Sequence, residues 1–506
     1  MKKKTLKVLA VLEKFILIAA FAAYAVGAGI FLYINNELIN NMFLLAGGYT
    51  AMGLLMLEGI ILRFTKSAKN KASVRIINFV TALVTVGAAL WIIFSQLIYN
   101  YFQPLSLFAP PIICFALFMI LYSTAVLLGL FAKENTYYVS LMGAAALGVF
   151  LITALWAGFQ GYGEFNPDVQ SQTVIECGEG GYETSRIPSI LVIEEGEMQG
   201  ENKEDILMVF AEARKETALD NSPSEVVYKT SLDAGKTWTE MAVAVSAQDI
   251  VDGEGRVADP TPVYDKNTNS ICLLFQTGTQ EGGFILDPYY MTGKLNSDGS
   301  VTWDYDGAVN VKEASGLDFG PGPSKGTQLE DGTLAFPVRA DGSSFVVYTS
   351  DGGKTWTKGD KSGVGGECDM TVMGDGKLVM ISRDGEMSKF PRDNKLRFAI
   401  SSDNGKTWDQ KTTNSTLTTP VVMSSVASYN GRLYAAYAQS PLTRAHLSYS
   451  YSDDMGKTWE TVSLYSGASG YAVSDITSKG TYYIIAEVGK VEYHEEIRLF
   501  KIPLEG

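Results

Sequence analysis

Carboxylates at fixed intervals are the first residues in this chain with the chemistry for acid–base work. The tetrapeptide Gly-Lys-Thr-Trp occurs four times, ending at Trp238, Trp356, Trp408 and Trp459. An Asp precedes each copy (Asp233, Asp351, Asp403, Asp454), with a Ser or Thr two residues before it. A degraded fifth copy carries Asp298 and ends at Trp303. The pattern [ST]-x-D-x-G-K-T-W has a plainer reading than catalysis. Asp accepts hydrogen bonds from backbone N–H groups a few residues on, Gly supplies positive φ, and Trp packs back over the hairpin. These aspartates are therefore read as turn fasteners. Two histidines, His446 and His494, are too few for a His-based metal site or a Ser-His-Asp triad. The cysteines match no metal spacing either, so neither metal nor organic cofactor is expected.

The elements that carry the repeat follow from its period. The five Trp residues are separated by 65, 53, 52 and 51 positions. For strand-rich sequence, a period near fifty means propeller blades. From position 171 onward, β-branched and aromatic runs (206–210, 271–275, 345–348, 432–437) alternate with Gly, Asp and Asn turns, the signature of short strands. Roughly 335 residues at this period give six blades, within the usual range for propellers. The expected fold of 171–506 is thus an all-β six-bladed propeller, its ring closed by pairing 172–176 with 497–502.

The first part of the chain reads differently. Apolar stretches at 15–34, 41–62, 76–99, 108–131 and 137–159 are each long enough to cross a hydrocarbon core as a helix, which takes about 20 residues. Lys2, Lys3, Lys4, Lys7 and Lys14 precede the first; Arg63, Lys66, Lys69, Lys71 and Arg75 follow the second; Lys133 lies between the last two. The segments 35–40 and 100–107 have no Lys or Arg. Positive-inside reasoning gives a cytoplasmic N-terminus (1–14), an all-α domain of five transmembrane helices (15–159), a short polar linker (160–170) and an extracellular propeller. The expected location is therefore a cell membrane, multi-pass, with the lipid bilayer as a partner. Glu58, near the cytoplasmic end of its stretch, is read as reaching the interface or Arg63. The net charge of −14 lies with the C-terminal part and argues against nucleic acid as a partner.

Arg186-Ile187-Pro188 opens the propeller, ahead of the first Asp repeat. An opening Arg-Ile-Pro followed by ordered [ST]-x-D-x-G-x-x-W repeats resembles the sialidase (exo-α-neuraminidase) family, over 171–506 only. The resemblance implies three arginines that hold a substrate carboxylate. By order along the chain they fall on Arg186, on Arg383 in Met380-Ile381-Ser382-Arg383, and on Arg444 just before the last repeat. Guanidinium suits that task, being always charged and gripping a carboxylate with a two-pronged fork.

The resemblance also implies an acid/base at Asp220, which follows Ala211-Glu212-Ala213-Arg214, and a nucleophile at Tyr471 with Glu367 as its base. Asp259, in Ala258-Asp259-Pro260, matches a loop bordering the pocket and is read as a substrate contact. Two departures stand out. Asn221-Ser222-Pro223 follows the acid/base where the family has further Asp and Gly, and Ala472 follows Tyr471 where the family has Ser. A shifted pairing on Ser474 would put Val473 in the tyrosine place. Tyr471 is preferred because the shift needs a deletion and abolishes the nucleophile. Tyr482 and Tyr483 are read as strand residues.

The implied chemistry is hydrolysis of terminal α-linked sialic acid from glycoconjugates, with retention through a sialyl-tyrosine intermediate. Sialic acid carries a carboxylate on its anomeric carbon, so a neutral phenol avoids the repulsion an anionic nucleophile would meet, and sialidases use Tyr where most glycosidases use a carboxylate. Other readings of the same residues are a sialic-acid-binding propeller without catalysis, a propeller serving only as an interaction platform, and an enzyme that transfers sialic acid instead of hydrolysing it.

Overall fold

The structure, a computed structural model, describes residues 163–198, 202–279, 286–363, 365–383, 394–440, 444–490 and 492–504. The five apolar stretches, Glu58 and the first linker residues lie outside the described residues.

Why these strands stack radially is visible in Ile206–Arg214. All nine side chains are buried. Alternate residues of a strand point to opposite faces. Met208 and Phe210 pack with Val257, Leu273 and Phe275 on one side, while Leu207, Val209 and Ala211 pack with Val473, Tyr483 and Ile485 on the other. An unbroken apolar run therefore marks a strand covered on both faces, as a strand inside a propeller blade must be.

Six such blades are present among the described residues. Blade 1 runs Thr184–Ile193, Ile206–Arg214, Ser224–Ser231 and Ala242–Val245. Blade 2 runs Gly255–Asp265, Ser270–Thr279 and Asp287–Leu295, with Val301–Trp303 and Val309–Asn310 sharing its outer position. In blade 3, Gly320–Pro321 and Thr327–Gln328 together pair with Leu334–Ala340, followed by Ser343–Thr349 and Thr357–Lys358. Blade 4 is Cys368–Val372, Leu378–Ser382, Lys395–Ser401 and Gln410–Thr418. Blade 5 is Ser425–Tyr429, Arg432–Ala438 and Ala445–Ser452, completed by the first half of Glu460–Ile476. That long strand then becomes the inner strand of blade 6, pairing with Thr481–Gly489, which pairs with Glu496–Pro503. The ring closes where Gln170–Glu176 adds to Glu496–Pro503, with Gln172 opposite Leu499, at the place expected from the sequence.

The Asp repeats lie between the third and fourth strands of blades 1 to 5. Asp403 accepts from the Thr407 N–H at 2.8 Å and the Thr407 hydroxyl at 2.7 Å, while Ser401 Oγ accepts from Gly405 N. Asp233, Asp351 and Asp454 repeat this on Thr237, Thr355 and Thr458. Gly235, Gly353, Gly405 and Gly456 all have φ between 82° and 86°. Blade 6 needs no such turn, because its outer strand comes from the other end of the described chain.

At the axis, residues 322–326 of blade 3 reach every other blade. Ser189 of blade 1 donates to the Ser324 carbonyl, and Thr261 of blade 2 donates to that of Gly322. Lys325 Nζ pairs with Asp369 of blade 4 at 3.1 Å and donates to the carbonyls of Val426 and Ser474, from blades 5 and 6. Residues 163–169, within the expected linker 160–170, pack against the propeller. Phe165 stacks on Tyr465 with 4.3 Å between centroids, Arg498 lies over the Phe165 ring, and Asn166 N donates to Leu464 O. The polar composition of this segment hides one aromatic that has an apolar seat.

Candidate active site

Several site residues sit where a strand breaks register. In blade 1 the pairing of Thr184–Ile193 shifts between Arg186 and Ser189. Ile187 there has φ 53°, an uncommon conformation for a β-branched residue that needs support from its surroundings. Glu487 supplies that support by accepting from Ile187 N at 2.8 Å. The Arg-Ile-Pro tripeptide is therefore a bulge, and it turns Arg186 toward the axis. Comparable shifts occur beside Asp259 (φ 55°), beside His446 (φ 62°) next to Arg444, and between Ser469 and Ala472, around Tyr471.

The predicted residues come together around one phenol. The Tyr471 hydroxyl donates to Glu367 Oε1 at 2.8 Å. Arg383 Nη1 lies 2.9 Å from Glu367 Oε2 and 3.4 Å from the Tyr471 hydroxyl. Arg444 Cζ is 5.4 Å from the Tyr471 ring centre and Arg186 Cζ is 5.8 Å from it. Arg444 is buried, and among the described residues its Nε and Nη1 have no hydrogen-bond partner. Two donors without an acceptor in a buried guanidinium make a place for an anion. Tyr482 and Tyr483 are buried in strand Thr481–Gly489, bonded to Ser474 and Asp205, as strand residues should be.

Asp220 lies in the loop between the second and third strands of blade 1. Its side chain is 56% exposed, so it faces the open side of the site. It pairs with Arg214 Nη2 at 2.8 Å and lies 3.9 Å from Arg186. Partial desolvation would raise the proton affinity of this carboxyl. The guanidinium charges of Arg214, Arg186 and Arg256 outweigh that and hold it well below the usual carboxylate range. Tyr471 goes the other way. Burial and the Glu367 charge push its phenol far up, against the opposing Arg383 and Arg444. At neutral pH the resting site therefore holds an ionised Asp220 and a neutral Tyr471.

Three residues with no assigned role in the sequence reading complete the frame. Glu487, fully buried, accepts from Arg186 Nε at 3.2 Å, Ile187 N and Tyr471 N, and so fixes the positions of the first arginine and the phenol together. Arg186, Arg444 and two backbone N–H groups hold its carboxylate ionised although burial opposes this. Glu212 ties Arg214 at 3.0 Å to Asp259 N at 2.9 Å. Asp259 Oδ2 is occupied by Gln276 Nε2 and Arg339 Nη2, both at 2.6 Å, and the residue is buried. That geometry makes Asp259 a positioning residue in the resting site. Glu487 had one sequence signal, a carboxylate ending the strand after Tyr471. The third, Tyr493, lies on the turn before Glu496–Pro503 and had none.

The model of the BNR repeat-like domain family matches residues 205–485. This chain belongs to that family. It is similar to a sialidase of Micromonospora viridifaciens, 25% identical over 360 residues, or 64% of this chain and 53% of the relative. A sialidase of Bacteroides fragilis is 26% identical over 256 residues, 46% of each chain. The chain spans about half the length of these curated relatives. Among solved structures, a Hadza microbial sialidase superposes with TM-score 0.54 at 20% identity, over 66% of this chain and 68% of that one. A Streptococcus pneumoniae sialidase does so with TM-score 0.53 at 14% identity, over 66% and 70%. The described domain thus has the all-β propeller fold of sialidases.

Proposed function

We propose that the protein is an exo-α-sialidase, a glycoside hydrolase that releases terminal sialic acid from glycoproteins, glycolipids or oligosaccharides with retention of configuration. The observation that carries this reading is a phenol hydrogen-bonded to a carboxylate inside three arginines, one of which has buried donors without partners.

Each residue has a task in this account. Arg186, Arg383 and Arg444 hold the substrate carboxylate. Glu367 takes the proton of Tyr471 as the phenol oxygen bonds to the anomeric carbon, since a phenol is a weak nucleophile without a base. Asp220 gives its proton to the leaving glycosidic oxygen. It then takes a proton from the water that cleaves the sialyl-tyrosine bond, which returns Tyr471 to its phenol with the proton held by Glu367. The substrate carboxylate also changes Asp220. An anion placed on Arg186 offsets the charge that holds Asp220 ionised, so its proton affinity rises when substrate is present. Residues 15–159 would anchor the domain at the outer face of a cell membrane with residues 1–14 in the cytoplasm. Protease added to intact cells should then remove the propeller, and its full protection would contradict that placement.

The activity is tested by incubating the purified full-length protein with a fluorogenic α-sialoside. Release of sialic acid, first as the α-anomer by NMR, is the expected result. Binding without release would favour the lectin reading, and neither binding nor release would leave only a scaffold.

A further inference from the structure

Tyr493 stands within reach of the same two guanidiniums as Tyr471, from a different element. Its ring centre lies 4.6 Å from Arg444 Cζ and 5.0 Å from Arg186 Cζ. Both arginines therefore contact two phenol rings. Contact through an aromatic face is favourable to a cation and leaves the in-plane N–H groups free to grip a carboxylate. The unpartnered Nε and Nη1 of Arg444 are such groups.

The approach of Tyr493 is built into its neighbours. A Cβ on Gly470 would come 2.7 Å from Tyr493 Cδ2 and 2.1 Å from Glu487 Oε2. The residue before Tyr471 must therefore be glycine for this ring and this carboxylate to come so near. His494 braces the ring edge-on, with 5.2 Å between centroids. Thr481–Gly489 carries Glu487, which orients Arg186, and the turn that follows carries Tyr493, which covers it.

We propose that Tyr493 is a positioning and specificity residue. Its ring shields the faces of Arg186 and Arg444 from water and so strengthens their hold on the carboxylate of an acidic sugar. This rests on the reading of the site as a sialoside site. Its effect belongs to binding and not to the chemical step, because its contacts are with the carboxylate clamp and not with Glu367 or Asp220. Shielding needs the ring and not the hydroxyl.

The test uses the full-length protein, a fluorogenic α-sialoside and free N-acetylneuraminic acid. Tyr493→Leu should raise KM and weaken N-acetylneuraminic acid binding by calorimetry about tenfold, the scale of one desolvated cation–π contact. It should leave kcat within about threefold, and Tyr493→Phe should match the wild type in both. Unchanged KM in Tyr493→Leu, a loss confined to kcat, or a Phe variant as weak as the Leu variant would each overturn the proposal while leaving the sialidase reading intact. A wild-type protein that neither binds nor cleaves would overturn both. If Tyr493→Leu fails to fold by circular dichroism, Tyr493→Gln, polar at a half-buried turn, takes its place with the same expected shift.

Discussion

Tyr471 donates a 2.8 Å hydrogen bond to Glu367 although the two lie 104 positions apart, on blades 6 and 4. The contact exists because the ring closes and because the inner strand of blade 6 bulges at Tyr471. It defines the chemistry proposed, since a buried phenol with raised proton affinity attacks only if a base takes its proton as it does so.

Glu367→Gln should therefore lower kcat by roughly 10²- to 10⁴-fold, the usual weight of a positioned base. KM should change little, because Gln keeps the shape beside Arg383. Steady-state kinetics on a fluorogenic sialoside decide the matter. A variant with near wild-type kcat would mean that Tyr471 gives its proton elsewhere.

Asp220 predicts a separation between two pH profiles. Its pKa in the free site is depressed by Arg214, Arg186 and Arg256. A general acid acts in its protonated fraction, so in kcat/KM, which reports the free enzyme, activity should already be falling as pH rises from the acid side. Bound carboxylate on Arg186 raises the pKa, so the same limb in kcat should lie at higher pH. The comparison needs a poor leaving group such as a sialylated disaccharide, so that the first step limits the rate. Coincident limbs would rule out Asp220 as the acid, or Arg186 as the link.

Glu487 should matter for stability as well as activity. Glu487→Ala leaves Arg186 buried without its partner and removes the acceptor for Ile187 N and Tyr471 N. Breaking a buried pair from one side costs about 3–5 kcal/mol. Urea unfolding followed by tryptophan fluorescence should show a loss of that order, and a loss below about 1 kcal/mol would mean that other donors relax to cover the gap.

The repeat aspartates make the opposite prediction. Asp403→Ala removes the acceptor for the Thr407 N–H and hydroxyl. It should lower stability by about 1–3 kcal/mol and leave kcat/KM unchanged. A fall in kcat/KM without a fall in stability would return these carboxylates to the list of functional residues.

Much of the fold is legible in the sequence. The blade count follows from the spacing of Trp238, Trp303, Trp356, Trp408 and Trp459, because the fastener depends only on local backbone and local side chains. Arg186, Arg383, Arg444, Asp220 and Tyr471 are named through the resemblance to sialidases, which spacing alone would not supply. What the sequence hid depends on contacts across the ring. Glu487 has meaning only opposite Arg186, 301 positions away. Tyr493 belongs to a turn whose composition resembles any exposed loop. Asp259 is read as a substrate contact, and nothing in the sequence reveals that Arg339 would reach it. The docking of residues 163–169 turns on one ring, Phe165, meeting Tyr465.

The most direct test is Tyr471→Phe, with wild type and variant full-length proteins compared on the same fluorogenic α-sialoside. Release by the wild type with at least a thousandfold lower kcat in the variant, and an unchanged melting temperature, is the result this account predicts. Removing one member of a nucleophile–base couple loses most of the catalysis the couple provides. A Tyr471→Phe protein that still turns over at a rate near that of the wild type would contradict the assignment of Tyr471 as nucleophile.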